Sequence, residues 1–204
     1  MICFAPFFLP LALILRCTGE GKVFYWQQRV GRGGKNFGLL KFATMLEDSS
    51  SMAGGDITGG NDPRVLPLGH FLRKTKINEL PQLWNILVGD ISLVGPRPLT
   101  IRNFALYSDE IQNILHDIVP GLTGIGSIVF RDEEAIIAAS SKSTANCYKE
   151  DIVPYKGELE RWYSEHRDLG VDLKLIFLTA WVIVFPRSRL VYRLFLDLPE
   201  NPSA

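Results

Sequence analysis

Asn78 and Glu79 stand side by side, and Arg97 follows the glutamate by 18 positions, set between Pro96 and Pro98. Leu80, Leu83, Trp84 and Leu87 recur at i, i+3, i+4 and i+7, the spacing of an amphipathic helix. Asn78 then falls at the N-cap and Glu79 at the first helical position, where the helix dipole favours a carboxylate. Pro81 sits in the first turn, where its missing N–H costs little, and Gly89-Asp90 end the helix. A helix N-terminus offers N–H donors to an anion. A carboxylate such as Glu79 can hold Mg²⁺ and bridge it to a diphosphate. A guanidinium on a backbone stiffened by two prolines can grip phosphate at little ordering cost, and nearby basic residues can balance the remaining charge. The same residue types also make an ordinary capped helix followed by a turn, and residue types alone leave both readings open.

Several elements must position these groups. Val23 to Val30 and Phe37 to Met45 are rich in β-branched and aromatic residues and flank Gly31-Arg32-Gly33-Gly34-Lys35, which predicts a β-hairpin. Residues 46–63, rich in Ser, Gly, Asp and Asn, read as a flexible loop. Ile111, Ile114, Leu115 and Ile118 predict a helix capped by Ser108, with Asp109 and Glu110 in its first turn, broken by Pro120-Gly121. Residues 121–130 read as a glycine-rich loop entering a short extended or buried piece, and Tyr155 to His166 as a further helix. No internal repeat is visible.

The chain has 204 residues, of which 47% are apolar and 22% charged, enough for a buried core and one domain with an appendage. Lys and Arg total 22 against 22 Asp and Glu, which argues against a nucleic-acid binder. Cys3, Cys17 and Cys147 form no CxxC pair, and His70, His116 and His166 no HExxH, so neither a disulfide framework nor a structural zinc site is expected. The charge is uneven. Arg16, Lys22, Arg29, Arg32, Lys35 and Lys41 face a single acid, Glu20, over that stretch, and further basic groups fall at 64–76 and 187–193. Such a distribution suits an anionic ligand or an anionic membrane surface, or else is ordinary solvated surface.

Both ends carry apolar runs. Ile2 to Leu15 contains no charge, but fourteen helical residues span roughly 21 Å against a hydrocarbon core of about 30 Å. Pro6 and Pro10 should bend or break a helix there. No basic region precedes the run, and Arg16 rather than a small residue precedes Cys17, so it fits neither a signal peptide nor a lipoprotein site. A re-entrant, interfacial or buried helix remains, with the basic stretch after it on the cytoplasmic side. Leu175 to Phe185 is also too short to cross. Trp181, Arg187, Arg189 and Arg193 suit a membrane interface, and a buried core helix is the other reading.

Further short segments stand in a fixed order: Gln28-Arg29-Val30-Gly31, Lys41-Phe42-Ala43-Thr44-Met45, Leu72-Arg73-Lys74, Asn78-Glu79-Leu80-Pro81-Gln82-Leu83, Gly89-Asp90, Ser92 through Pro98, Pro120-Gly121-Leu122-Thr123-Gly124 and Asp172-Leu173-Lys174. In these the chain resembles, over nearly its whole length, the bacterial sugar transferases, the monotopic polyprenyl-phosphate phosphoglycosyl transferases. The resemblance implies an α/β fold, mostly helical with a small β-hairpin. It implies a re-entrant hydrophobic segment over 1–17 and a catalytic domain over 18–204, resting by amphipathic helices on the cytoplasmic face of the bacterial inner membrane. The implied enzyme transfers a sugar 1-phosphate from a UDP-sugar to undecaprenyl or another polyprenyl phosphate, releases UMP and uses Mg²⁺. Its product starts an exopolysaccharide, capsule, O-antigen or glycoprotein glycan. Self-association is left open. The resemblance assigns catalysis to Glu79, Lys41 and the position of Asn78, the metal to Glu79, and phosphate or nucleotide-sugar binding to Arg97, Arg73 and Arg131. Asp172 is a candidate acid supporting the site, or simply a helix-starting Asp.

The chain departs from that family in three places. The nucleophilic Asp of the family's Asp-Glu dyad is Asn78 here, and a neutral amide cannot form an acyl phosphate. Three consequences are open: Glu79 attacks instead, the polyprenyl phosphate attacks directly, or the protein is a silent membrane-bound relative that binds nucleotide sugar or partner transferases. Ala43 replaces the arginine of the family's Lys-Phe-Arg motif, and Arg29, Arg32 or Lys35 are the residues placed to compensate. Only five residues precede Pro6, so the incoming half of a re-entrant helix is expected to be missing.

Overall fold

A computed structural model describes residues 5–52, 55, 57–58 and 62–200. Cys3 and the start of the first apolar run lie outside them. The fold is mostly helical, with two small two-stranded sheets.

The predicted hairpin forms. Strand β1 (Phe24–Val30) pairs antiparallel with β2 (Asn36–Phe42), in a register that sets Tyr25 opposite Lys41 and Gln27 opposite Leu39. Strand alternation puts Tyr25, Gln27, Arg29, Leu39 and Lys41 on one face and Phe24 and Trp26 on the other. Helix α1 (Ala5–Cys17) runs unbroken through Pro10, one of the two prolines expected to bend or break it. The missing N–H removes one bond near the helix start, and Leu11 and Leu15 hold the helix on Phe42 and on Leu72 of α2 (Pro67–Lys74). Leu9, Leu13 and Ile14 on its other side remain exposed.

The segment at Asn78 differs from the expected helix. Ile77–Gln82 forms a 3-10 helix, and helix α3 begins only at Leu83 and ends at Val88. The cap position is Lys76, at a left-handed φ of 61°, so Asn78 lies inside the turn and caps nothing. Pro81 explains the tighter winding: it cannot donate to the carbonyl of Ile77, and the turn closes instead through Glu79 N–H to Lys76 O at 3.0 Å. The apolar stripe of α3 also faces outward, leaving Trp84, Leu87 and Val88 exposed. Asn85 takes the inward position. Its side chain accepts from Leu40 N–H at 2.9 Å and donates to Gly38 O at 2.8 Å and Asp90 Oδ2 at 3.0 Å, satisfying the free edge of β2.

The described part of the 46–63 stretch is tied down rather than free. Buried Arg64 donates to the carbonyls of Ser49, Gly55 and Ile57 and pairs with Asp62 at 2.6 Å. A second sheet, not evident from the sequence, pairs β3 (Ser92–Val94) in parallel with β4 (Gly121–Thr123). Between them run α4 (Ile101–Phe104) and α5 (Asp109–Asp117), the latter capped by Ser108 as predicted. After β4 come α6 (Ile125–Val129), α7 (Glu133–Ala139), α8 (Thr144–Cys147) and a wide turn at Tyr148–Ile152. Helix α9 (Val153–His166), α10 (Leu169–Val184) and α11 (Leu190–Leu194) close the main core around Ile125, Tyr155, Leu159, Leu175 and Leu178. Helix α10 combines both readings of its apolar run: Leu175, Leu178 and Val182 are buried, whereas Leu173, Phe177, Ile183 and Val184 are exposed. Among the described residues no helix is long and apolar enough to cross a membrane.

The β3–β4 seam holds two of the sequence segments together. A Cβ on Gly121 would lie 2.1 Å from Gly95 N, and one on Gly124 would lie 2.2 Å from Gly95 O. The glycines let the backbones touch, bonded through Ser92 N–H to Pro120 O, Gly95 N–H to Thr123 O and Gly121 N–H to Pro96 O. Gly121→Ala should therefore cost about 3 kcal/mol or more, since backbone cannot rotate away as a side chain can. A urea melt within about 1 kcal/mol of wild type would contradict this close approach.

Candidate active site

A cavity of about 890 Å³ opens between the hairpin face, the 3-10 turn, the β3–β4 loops and the wall of α10. Tyr25, Gln27, Arg29 and Lys41 line it from the hairpin, Arg73 from α2, Lys76, Asn78 and Glu79 from the turn, and Arg97 and Arg131 from the loops. The structure thus brings together six of the seven residues singled out in the sequence. The seventh, Asp172, lies outside the lining, where it accepts from Tyr163 O–H at 2.9 Å. Of the three candidates to compensate for Ala43, Arg29 lines the cavity, and Arg32 and Lys35 do not.

Arg97 donates to Glu79 at 2.6 Å, closing the gap between turn and loop. The pair is sheltered, with Glu79 13% and Arg97 35% exposed at the side chain. Burial works against the Glu79 carboxylate, but the charges of Arg97, Lys76 and Lys41 and the Arg97 hydrogen bond outweigh it, holding the carboxyl well below the usual range. Glu79 is therefore ionised at any physiological pH. The facing charge of Glu79 in turn holds Arg97 firmly protonated. Arg29 ties the hairpin to the same loop by donating to Pro98 O at 2.9 Å. Lys41 donates to Gln27 Oε1 at 3.0 Å. Burial, then the nearby charges of Arg29 and Arg97, push the Lys41 ammonium well below its ordinary pKa, and burial does the same to Lys76.

Eight Lys and Arg side chains line the cavity against four acids. Each acid is already matched: Glu79 to Arg97, Glu133 to Lys156, Glu134 to Arg73, and Asp132 to Arg131 at 3.3 Å. Eight minus four leaves a surplus of four positive charges on one concave surface. Burial is the first cause of the lowered ammonium pKa values and the neighbouring cations add to it, and an anion in the cavity would offset that repulsion. Asn78 Oδ1 is buried without a hydrogen-bond partner, an acceptor aimed at no protein donor. Among the described residues no three His, Cys, Asp or Glu side chains cluster as a metal site. Glu79 is a single carboxylate donor, which suits an ion that takes its remaining ligands from water and phosphate.

Behind Arg97 lies a polar group that no sequence pattern marked. Glu160 of α9 is buried against Gly126, Ser127 and Lys156, next to a void of about 10 Å³ that Arg97 also lines. Glu160 Oε2 and Ser127 Oγ are buried without partners. Lys156, one turn earlier, pairs with Glu133 and sits over the Phe130 and Tyr148 rings. The hairpin residues Gln27 and Arg29 were readable from strand alternation once Lys41 was placed. Glu160 was not, because an isolated Glu in a helix normally reads as solvated.

The family model for bacterial sugar transferase matches residues 1–186. The chain belongs to that family. It is 35% identical over 202 residues to the exopolysaccharide production protein ExoY of Rhizobium meliloti, covering 92% of this chain and 81% of that protein. It is 33% identical over 180 residues to the undecaprenyl-phosphate galactose phosphotransferase of Salmonella typhimurium, covering 80% of this chain and 34% of that one. The undecaprenyl-phosphate glucose phosphotransferase of Komagataeibacter xylinus is 30% identical over 193 residues, with 92% and 34% covered. The chain spans little more than a third of the length of these larger sugar transferases.

Glu160 gives this sugar transferase a distinctive pH response. Burial pushes its carboxyl up to about 7, against the lowering charge of Lys156. Below about pH 4 the group is protonated folded and unfolded and costs nothing. As pH rises the unfolded chain loses its proton first, so stability falls, and the loss levels off above about pH 7, at on the order of 3 kcal/mol. Glu160→Gln should nearly match wild type in urea melts at about pH 4 and exceed it at about pH 8. Equal stability at both pH values would show that the carboxylate is solvated.

Proposed function

We propose that this protein transfers a sugar 1-phosphate from a UDP-sugar to a polyprenyl phosphate, releasing UMP, at the start of a bacterial surface glycan. The observation that carries the reading is the cationic cavity: a surplus of four positive charges around Glu79 and Arg97 suits two substrates that are both phosphate anions. The names of the relatives point to the same substrate class.

The residues also favour one route. Asn78 has no charge to offer phosphorus. Glu79 is ionised but held in an ion pair and strongly acidic, which makes it a weak nucleophile. In the proposed route an oxygen of the polyprenyl phosphate attacks the sugar-bearing phosphorus directly. A P–O bond forms there, the bond to the bridging oxygen breaks, and UMP leaves with that oxygen, with no net proton transfer. Arg97, Arg29 and Lys41 offset the charge on the phosphates, and the unpartnered Asn78 oxygen is free to accept from a sugar hydroxyl. Glu79 with the diphosphate would hold Mg²⁺, which when bound would neutralise charge on the phosphate oxygens.

The proposal includes a place on the cytoplasmic face of the membrane. The exposed side of α1 and the outer side of α10 are apolar, and exposed Arg187, Arg189 and Arg193 follow α10. That combination suits a helix lying in an anionic interface. The second reading, a silent relative, draws on Asn78 alone.

UMP release, measured with UDP-sugars and Mg²⁺ in nanodiscs, tests these readings. Direct transfer predicts release only when undecaprenyl phosphate is present, and at least a hundredfold loss in Glu79→Gln and Arg97→Ala. A stoichiometric burst without acceptor would instead make Glu79 a covalent nucleophile. Silence in wild type with turnover in Asn78→Asp would establish the silent relative.

A further inference from the structure

The lining of the cavity is apolar as well as charged. One stretch of its wall is a stripe of α10: Ile176, Thr179, Ala180 and Ile183, at i, i+3, i+4 and i+7. Leu93 of β3 joins them. Ile176, Ile183 and Leu93 are 41%, 45% and 52% exposed, an unusual surplus of apolar surface for the wall of an anion site. Thr179 offers no polar atom to a ligand, because its hydroxyl is spent on Leu175 O at 2.7 Å and Thr123 Oγ1 at 2.5 Å.

We propose that this stripe seats the hydrocarbon chain of the lipid phosphate acceptor, with the phosphate head among Arg29, Lys41 and Arg97. The assignment rests on the transfer reading above and adds where the acceptor's tail lies. Three observations favour this occupant. A nucleoside or a sugar needs hydrogen-bond partners, and the stripe has none to give, so those parts of the donor belong on the Gln27, Arg29, Asn78 side. The stripe shares one cavity with the surplus positive charge, so a molecule with one anionic end and one apolar end matches both walls. Finally, the stripe adjoins exposed Phe177 and Val184 on the same helix, so a chain lying on it continues onto apolar surface without crossing water. From Ile176 to Ile183 the stripe is about 10 Å long, enough to take the first part of a long chain and leave the rest outside.

Binding of dimethylallyl, geranyl and farnesyl phosphate, against UMP as a separate ligand, tests the assignment in the full chain in one fixed detergent. Wild type should gain roughly tenfold in affinity per added isoprene unit. Ile176→Gln/Ile183→Gln should lose most of that gain. Both side chains are exposed, so the buried face of α10 is left intact, and an unchanged thermal melt checks it. Phe177→Gln/Val184→Gln, on the neighbouring surface, should keep the gain from dimethylallyl to geranyl phosphate, which falls within the roughly 10 Å of the stripe. An equal slope in wild type and the Ile176/Ile183 variant overturns the assignment, as does no chain-length dependence in wild type. Equal flattening by both variants overturns it too, by pointing to detergent partitioning. A dimer that dissociates in the Ile176/Ile183 variant would give the stripe to a second copy instead. UMP binding is read independently: its absence in wild type counts against the transfer reading, while the prenyl slope still decides the stripe.

Discussion

Gly95, Gly121 and Gly124 bring two backbones so close that no side chain fits between them, and the site is built outward from that contact. The contact makes β3 and β4 a parallel pair only three residues long on each strand. It also fixes Pro96, whose carbonyl accepts from Gly121 N–H at 2.8 Å. With Pro98 held by Arg29, the backbone on both sides of Arg97 is anchored before its side chain makes any bond. A guanidinium so placed loses little further entropy on gripping Glu79 or a phosphate.

Electrostatic crowding is the second organising feature. Each acid in the cavity is matched to a cation, and positive charge remains. Burial, and after it the charge of Arg97, lowers the pKa values of Lys41 and Lys76. Without ligand this arrangement is costly, and it is tolerated because the surrounding elements are held by other interactions: Asn85 on the edge of β2, Arg64 on the carbonyls of Ser49, Gly55 and Ile57, and the apolar core around α9 and α10. The binding energy of an anion can then go into relieving repulsion rather than ordering loops.

Helix α10 divides its surface among three tasks. Leu175, Leu178 and Val182 close the core, Ile176 and Ile183 wall the cavity, and Phe177 and Val184 remain exposed. A helix apolar on nearly every side thus has a separate neighbour for each stripe, which reconciles the buried and interfacial readings of its sequence.

What the sequence determined by itself was short-range. Strand-forming residues around a glycine-rich turn made the hairpin, Ser108 with Asp109 and Glu110 started α5, and both apolar runs are short of a crossing length, with no helix long and apolar enough to cross a membrane among the described residues. The ordered motifs also singled out Lys41, Arg73, Asn78, Glu79, Arg97 and Arg131, which do share one cavity. Tertiary structure decided the rest. Leu80, Leu83, Trp84 and Leu87 carry helical periodicity, yet Pro81 and the left-handed Lys76 wind the first turn tighter, and Asn85 faces inward because β2 left backbone groups to satisfy. Ser92 and Gly121 carry no mark of their pairing, and Glu160 none of its burial. Periodicity and capping depend on neighbours a few residues away, so they are written locally. Strand pairing, desolvation and charge crowding depend on which distant segments meet, and only the folded chain settles that.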